Sequence, residues 1–180
     1  MLRRAICLGL LAVAFSAHGQ DIPGPSGSIA FGTSVAVLPS GNLVVVDPFY
    51  DPPGTPTAVG AVYLYRPDRS LISRLTGTQT GDNVGRDGIV VLPNGNFVVV
   101  STNWSNGAAT NAGAVTFING RTGLAGEVSA ANSLVGSAIG DQVGLRGIDV
   151  LSNGNYVVVS TEWDNGGLAN VGAATWGSAT

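Results

Sequence analysis

Eleven carboxylates are the main acid, base and ligand groups this sequence offers. Two of them, Asp82 and Asp141, stand 59 residues apart in the same setting, Gly-Asp-x-Val-Gly. A short carboxylate in such a glycine-bounded turn accepts hydrogen bonds from neighbouring backbone N–H groups. The pair therefore reads first as structural, with a metal-binding or catalytic role as the alternative. Glu162 and Asp164 flank Trp163, but the corresponding neighbours of Trp104 are Asn103 and Ser105. A glycoside hydrolase needs two carboxylates facing one another, roughly 5 to 10 Å apart, a separation that sequence spacing does not specify.

The rest of the catalytic repertoire is missing. The only Cys and the only His, Cys7 and His18, fall within the first nineteen residues, and Lys is absent throughout. Beyond residue 19 there is thus no Ser-His-Asp or Cys-His site, no thiolate or imidazole metal ligand and no Schiff-base lysine. No catalytic residue, metal site or cofactor is expected. The aromatic residues offer a different chemistry. Tyr50, Trp104 and Trp163 each lie four residues past a Val-rich run. An exposed ring gives large contact area at small entropy cost and can stack on a sugar or a peptide side chain. These three are the candidate binding residues; the alternative is that each ring fills the gap between neighbouring sheets.

The elements that must position these residues are written three times. SVAVLPSGNLVVVDPFY (Ser34 to Tyr50), GIVVLPNGNFVVVSTNW (Gly88 to Trp104) and GIDVLSNGNYVVVSTEW (Gly147 to Trp163) are one pattern of apolar run, turn and apolar run. Asn-Gly and Ser-Gly mark the turn of a hairpin, because they accept positive φ at low cost. A second set of equivalents, Gly60-Ala61-Val62, Gly113-Ala114-Val115 and Gly172-Ala173-Ala174, keeps step with the first. In the middle copy the strands are expected at Ile89 to Leu92, Phe97 to Ser101 and Ala114 to Ile118, with a weaker fourth between Leu124 and Val135. The second strands are apolar on both faces, as for a strand held between two neighbouring sheets. No long window carries a 3.6-residue stripe, so no helix is expected beyond the leader.

Four short antiparallel strands in each unit of 54 to 59 residues is the pattern of a β-propeller blade. The expected fold is an all-β, propeller-type repeat array of about three four-stranded blades, with units at 32–84, 85–143 and 144–180. The third unit ends just after its third strand, Ala173 to Trp176, so the last blade is incomplete. Propellers typically have four or more blades. Three expectations follow for this arrangement: a fragment of a larger propeller, an open array, or copies that associate. The segment from Pro25 to Phe31 resembles the tail of a fourth strand and offers one way to complete the last blade.

The first nineteen residues carry a basic start (Arg3, Arg4), an apolar run (Ala5 to Phe15) and a small-x-small site (Ala17-His18-Gly19), the pattern of a secretory signal peptide. The run is too short to span a bilayer. The domain is then residues 20–180, with six arginines against eleven acids and a net charge of −5. That balance argues against nucleic acid or an anionic membrane as partner. A chain without Cys beyond the leader has no disulfide and must hold together by packing.

Phe31-Gly32-Thr33-Ser34-Val35-Ala36, followed by Gly41 to Pro48 and Val59 to Tyr65, resembles the FG-GAP repeat of integrin α-subunit propellers. From Gly27 to Trp176 the chain also resembles a bacterial tandem repeat of unknown function found in exported and surface proteins. The FG-GAP resemblance implies a calcium loop between the first two strands, but that place holds only Pro39-Ser40-Gly41-Asn42. Calcium takes six to eight oxygens, usually with several carboxylates, so calcium binding is not expected here. The later copies also have Val84-Gly85 and Val143-Gly144 in place of Phe-Gly, and Ser-Thr in place of Asp47-Pro48.

The functional expectation is an exported, non-enzymatic repeat protein for binding or adhesion, secreted, periplasmic or at the cell surface. Its partner would be a protein or glycan, with self-association or further blades in a longer chain as additional contacts. The alternative is a structural spacer, or a remnant of a larger surface protein, with no site of its own. A carbohydrate-active enzyme using paired carboxylates is the third reading.

Overall fold

The computed structural model describes residues 20–54 and 56–180. The leader pattern in residues 1–19, with Cys7 and His18, lies outside the described residues. The described chain is all-β, with twelve strands and no helix. The first unit contributes β1 (Ser34–Val37), β2 (Leu43–Asp47), β3 (Ala61–Tyr65) and β4 (Leu71–Thr76). The second contributes β5 (Ile89–Val91), β6 (Phe97–Ser101), β7 (Ala114–Ile118), β8 (Gly126–Glu127) and β9 (Leu134–Val135). The third contributes β10 (Ile148–Val150), β11 (Tyr156–Ser160) and β12 (Ala173–Gly177).

These strands form three sheets, β1-β2-β3-β4-β8, β5-β6-β7-β9 and β10-β11-β12, antiparallel at every pairing except the parallel β4-β8. The first hairpin of each unit closes identically. The N–H groups of Leu38, Leu92 and Leu151 donate to the carbonyls of Asn42, Asn96 and Asn155 at 2.8, 2.8 and 2.7 Å. The repeated register in the sheets follows from this repeated turn, since turn length fixes which residues stand opposite one another.

The weak fourth strand expected between Leu124 and Val135 is two strands with different owners. Leu134–Val135 pairs with β7 inside its own sheet, while Gly126–Glu127 pairs parallel with β4 of the preceding sheet. The intervening Ser, Ala and Asn residues favour a turn over a continuous strand. Each strip finds the edge within reach.

The sheets stack face to face, and the strands with apolar residues on both sides lie between two cores. Phe97 and Val99 of β6 face a core shared with Val44, Val46, Val62 and Leu64 of the first sheet. Val98 and Val100 face a second core shared with Tyr156 and Val158 of the third. The alternation of a strand sends odd and even residues to opposite sides, so a Val run serves both. Burying each such side chain is worth about 1.5–3 kcal/mol, which lets packing alone hold the array.

A third cluster, Val45, Tyr50, Ala61, Tyr63 and Tyr65, lies on the far side of the first sheet, covered by Ile22 and Phe31. Phe31 meets Tyr63 edge-on with centroids 5.4 Å apart. The Ile29 and Ala30 N–H groups donate to the Asp47 carboxylate at 3.0 Å each, and Asp51 N–H donates to Gly27 O at 2.9 Å. The segment from Pro25 to Phe31 therefore covers the first sheet and does not complete the last blade. It occupies the place that Ser137 to Val143 takes beside the third sheet.

Candidate functional site

The carboxylates that invite a chemical reading are saturated by backbone. Asp82 and Asp141 are both 0% exposed. In Asp82, Oδ2 accepts the Thr78 and Gln79 N–H groups at 2.8 Å each, and Oδ1 accepts Ser105 N–H at 3.0 Å. Asp141 repeats this with Ser137 and Ala138 at 2.7 and 2.8 Å, and with Asp164 N–H at 3.0 Å. One oxygen closes a turn at the end of a sheet, and the other fastens that turn to the next sheet. Asp87 accepts the N–H and hydroxyl of Thr102 at 2.7 and 2.8 Å. Glu162 and Asp164 do not form a facing pair: Glu162 accepts the Thr161 hydroxyl at 3.2 Å, and Asp164 accepts Asn170 N–H at 2.7 Å. Among the described residues no three acidic, His or Cys side chains converge on a metal position.

Asp47 and its counterparts perform one task with different side chains. Ser101 Oγ accepts Gly85 N–H at 3.0 Å and Ser160 Oγ accepts Gly144 N–H at 3.1 Å, each tying the incoming linker to a second strand. In the first unit the longer Asp47 carboxylate reaches two N–H groups of the covering segment instead. The departure from Ser to Asp is thus a change of reach.

The hairpin turns hold a clamp that site reasoning from the sequence passed over. Asn42 Nδ2 donates to Gly120 O at 2.8 Å, and Gly120 N–H donates to Asn96 Oδ1 at 3.0 Å. Asn96 Nδ2 in turn donates to Ala179 O at 3.0 Å, and Ala179 N–H donates to Asn155 Oδ1 at 3.1 Å. Asn42 and Asn96 thereby each link their own sheet to the next, while Asn155 holds Ala179 within the third unit itself. The signal was present, since Asn follows Gly in all three turns, Gly41-Asn42, Gly95-Asn96 and Gly154-Asn155.

Of the three candidate binding residues, two are closed off. Tyr50 is 2% exposed and Trp104 is 4% exposed, each packed within a core, so neither offers a ring face to a ligand. The Tyr50 hydroxyl accepts a hydrogen bond from Arg74 at 3.0 Å, and that guanidinium also lies over the ring. Trp104 Nε1 is buried without a hydrogen-bond partner. Trp163 is half-buried and lines a cleft of about 400 Å³ beside Leu134, Val135, Val143 and Thr175. The structure does not bring the three together on one face: Tyr50, Trp104 and Trp163 belong to three successive core layers.

Burial also acts on the tyrosines. Desolvation pushes the Tyr63 phenol far above its ordinary value of 10.0, with neighbouring Tyr50 adding to the shift. Tyr65 and Tyr156 are raised by the same desolvation.

Exposed apolar side chains occur on several elements, Val35 and Val37 of β1 and Leu71 of β4 among them, and the third sheet carries a further group. The positions that hold Val62 and Leu64 in β3, and Val115 and Phe117 in β7, hold Ala174 and Trp176 in β12. Val62 and Leu64 are 3% and 1% exposed, whereas Trp176 is 59% exposed. Val150, Val171 and Leu168 are also exposed. A groove of about 250 Å³ runs between the second and third sheets, lined by Val115, Phe117, Leu134, Tyr156 and Trp176 among others. The Phe117 and Tyr156 rings stack across it at 6.5 Å.

A family model described as a repeat of unknown function (DUF5650) matches residues 91–145 and 150–180. The match falls on the second and third units and agrees with the expectation of a tandem repeat of unknown function. Among solved structures, the chain is similar to the crystal structure of a protein of unknown function from Bacteroides caccae. That likeness has 16% identity, a TM-score of 0.38 and coverage of 78% of this chain. The chain spans 42% of the length of that structure's chain. No curated protein matches.

Proposed function

We propose that this chain is a non-enzymatic, exported repeat module that binds another protein at its third sheet, in adhesion or assembly at the cell surface or outside the cell. The observation that carries the reading is the contrast between equivalent faces. Side chains that are 1–3% exposed in the first sheet have counterparts on the third sheet that end in Trp176 at 59%. A large aromatic ring left open on a sheet face is the kind of side chain that anchors a protein partner. The net charge of −5 beyond the leader disfavours nucleic acid and anionic lipid and leaves protein or glycan as the partner class. Likeness to FG-GAP repeats of integrin α-subunits, and closure of the sheets into a propeller ring, belong to the same proposal.

The non-enzymatic half is supported by the carboxylates. Asp47, Asp82 and Asp141 are each 0% exposed and occupied by backbone N–H groups. A general acid or nucleophile must reach its substrate, and these point into the protein. The second reading, a spacer with no site of its own, draws support from the burial of Tyr50 and Trp104.

The test is binding of the chain from residue 20 onward to arrays of purified extracellular proteins and glycans, beside a Trp176→Asp variant. Saturable binding to a protein that the variant loses about tenfold or more is the expected result. A blank across the arrays for both proteins would favour the spacer, and hydrolysis of any glycan would end the non-enzymatic reading.

A further inference from the structure

The first and second sheets supply a filled example of the groove between the second and third. Leu75 of β4 stands opposite Val62, and Leu134 of β9 stands opposite the equivalent Val115. Their surroundings differ: Leu75 is 1% exposed and Leu134 is 36% exposed. What covers Leu75 is the strip Gly123 to Val128. Gly126 and Glu127 pair parallel with Leu75 and Thr76, and Val128 N–H donates to Thr76 O at 2.9 Å. Leu124 and Val128 enter the core beneath, alongside Leu64 and Phe97. At Gly123 an added Cβ would stand 1.9 Å from Ser73 Oγ, so only glycine lets the strip lie this close.

The floor of the second groove is a residue-by-residue counterpart of that occupied site. Val115 stands for Val62, Phe117 for Leu64, Leu134 for Leu75, Tyr156 for Phe97 and Val158 for Val99. Register and chemistry are retained in every pair, apolar against apolar. The groove also opens beside β9, whose outer backbone edge has no strand beside it among the described residues. An apolar trough flanked by an unpaired strand edge is the arrangement used in strand addition, where main-chain bonds give affinity and pockets for side chains give selectivity.

The geometry points to this groove as a receptor for an extended strip supplied by a further repeat unit beyond residues 20–180. The strip has the pattern Gly-apolar-small-Gly-acid-apolar and lies parallel to β9, as Gly123 to Val128 lies on β4. This inference rests on the proposed binding function and names its ligand class. The acid of the strip stays outside, as Glu127 does, and the two apolar side chains fill the trough.

The test uses the chain from residue 20 onward and a synthetic peptide with the sequence of Arg121 to Ala130. Calorimetric titration should give saturable one-to-one binding, and hydrogen exchange across residues 132–136 should slow when peptide is present. A peptide carrying Ser at both apolar positions should bind at least about tenfold more weakly, since each buried aliphatic group contributes about that factor or more. Leu134→Asp should abolish binding, and the exchange measurement on the unsubstituted chain stands whether or not that variant folds. Absence of both heat and protection at millimolar peptide, or equal binding of the Ser peptide, would overturn the inference. Concentration-dependent self-association removed by Leu134→Asp would also overturn it, assigning the groove to a second copy. If the peptide fails while Trp176-dependent capture on the arrays persists, this inference falls and the broader function stands.

Discussion

Replacing Asp82 by Ala removes three backbone hydrogen bonds at once, together with the long one from the Thr78 hydroxyl at 3.4 Å, and the structure says how much each backbone bond matters. The acceptors are lost to Thr78 N–H, Gln79 N–H and Ser105 N–H, at 2.8, 2.8 and 3.0 Å. Hydrogen bonds to a charged group are worth about 1.5–3 kcal/mol each, which would give a naive sum near 4.5–9 kcal/mol. Thr78 is exposed and Gln79 half-exposed, so water can replace two of the three acceptors. Ser105 is 7% exposed, and its N–H loses its partner in full. The expected cost is therefore about 2–4 kcal/mol, or a fall in Tm of about 5–15 °C for a chain of this size. Asp82→Asn is the sharper variant. Its amide can turn an oxygen toward the two turn donors or toward Ser105, but its NH2 then faces an N–H, so it should lose about half the Ala effect. Asp141→Ala should cost less than Asp82→Ala, because Asp164 N–H belongs to a half-exposed residue. Urea denaturation of the four proteins checks the series. A loss below about 1 kcal/mol for Asp82→Ala, or equal stability of Asp82→Asn and the parent, would refute the stapling argument.

Three further outcomes are expected. Tyr63 combines a raised phenol with a buried hydroxyl that has no hydrogen-bond partner. Its folded value lies above its unfolded value of about 10, so its contribution is fully present below pH 10 and is lost as pH rises beyond; pH-dependent melts should fall above pH 10, less steeply in Tyr63→Phe, which should match or exceed the parent at pH 7. Asn96→Ala should cost about 1–2 kcal/mol by denaturation, since it strands Gly120 N–H and releases Ala179 O. Gly120→Ala should cost more than about 2 kcal/mol, because its Cβ would fall 1.9 Å from Gly95 O in the neighbouring turn of its own sheet and 2.9 Å from Leu38 Cδ1 of the first; a melt unchanged from the parent would show that the turns do not touch there.

The fold was legible where the sequence carried local signals. Asn-Gly turns and Val runs placed the hairpins, and the third strand Ala114–Ile118 appears with the bounds its pattern implied. Residues apolar on both faces announced a stack, because a Val run cannot face water on one side along its whole length. Legibility failed where one unit acts on another. Gly126–Glu127 has no strand character of its own; its pairing comes from the edge of β4, a partner about 50 residues earlier. The Pro25 to Phe31 segment likewise reads in sequence as the tail of a fourth strand for the last blade, and only the tertiary contacts of Phe31 and Asp47 place it on the first sheet instead. For the site, turn chemistry correctly forecast the role of Asp82 and Asp141. The burial of Tyr50 and Trp104 depended on sheet spacing, which the aromatic positions alone do not encode. Gly60 and Gly113 follow the same rule: a Cβ there would stand 2.2 Å from Val84 N and Val143 N, so their repetition reflects linker contact.

The strip that closes the first sheet is encoded inside the second unit, and this fixes how such an array can be cut and lengthened. A protease nick in the exposed stretch around Arg121 and Thr122 falls in the second unit by sequence, yet the edge it loosens belongs to the first. Gene rearrangement meets the same interlock. Where the following unit carries a strip of its own, excising one full period brings that strip to a like edge and preserves the seam. Excising a sheet from its own first strand to its own last strand takes away its neighbour's closure as well. The inheritable module is thus the period, out of phase with the visible sheet, and unit number can drift by whole periods without a new interface having to be invented.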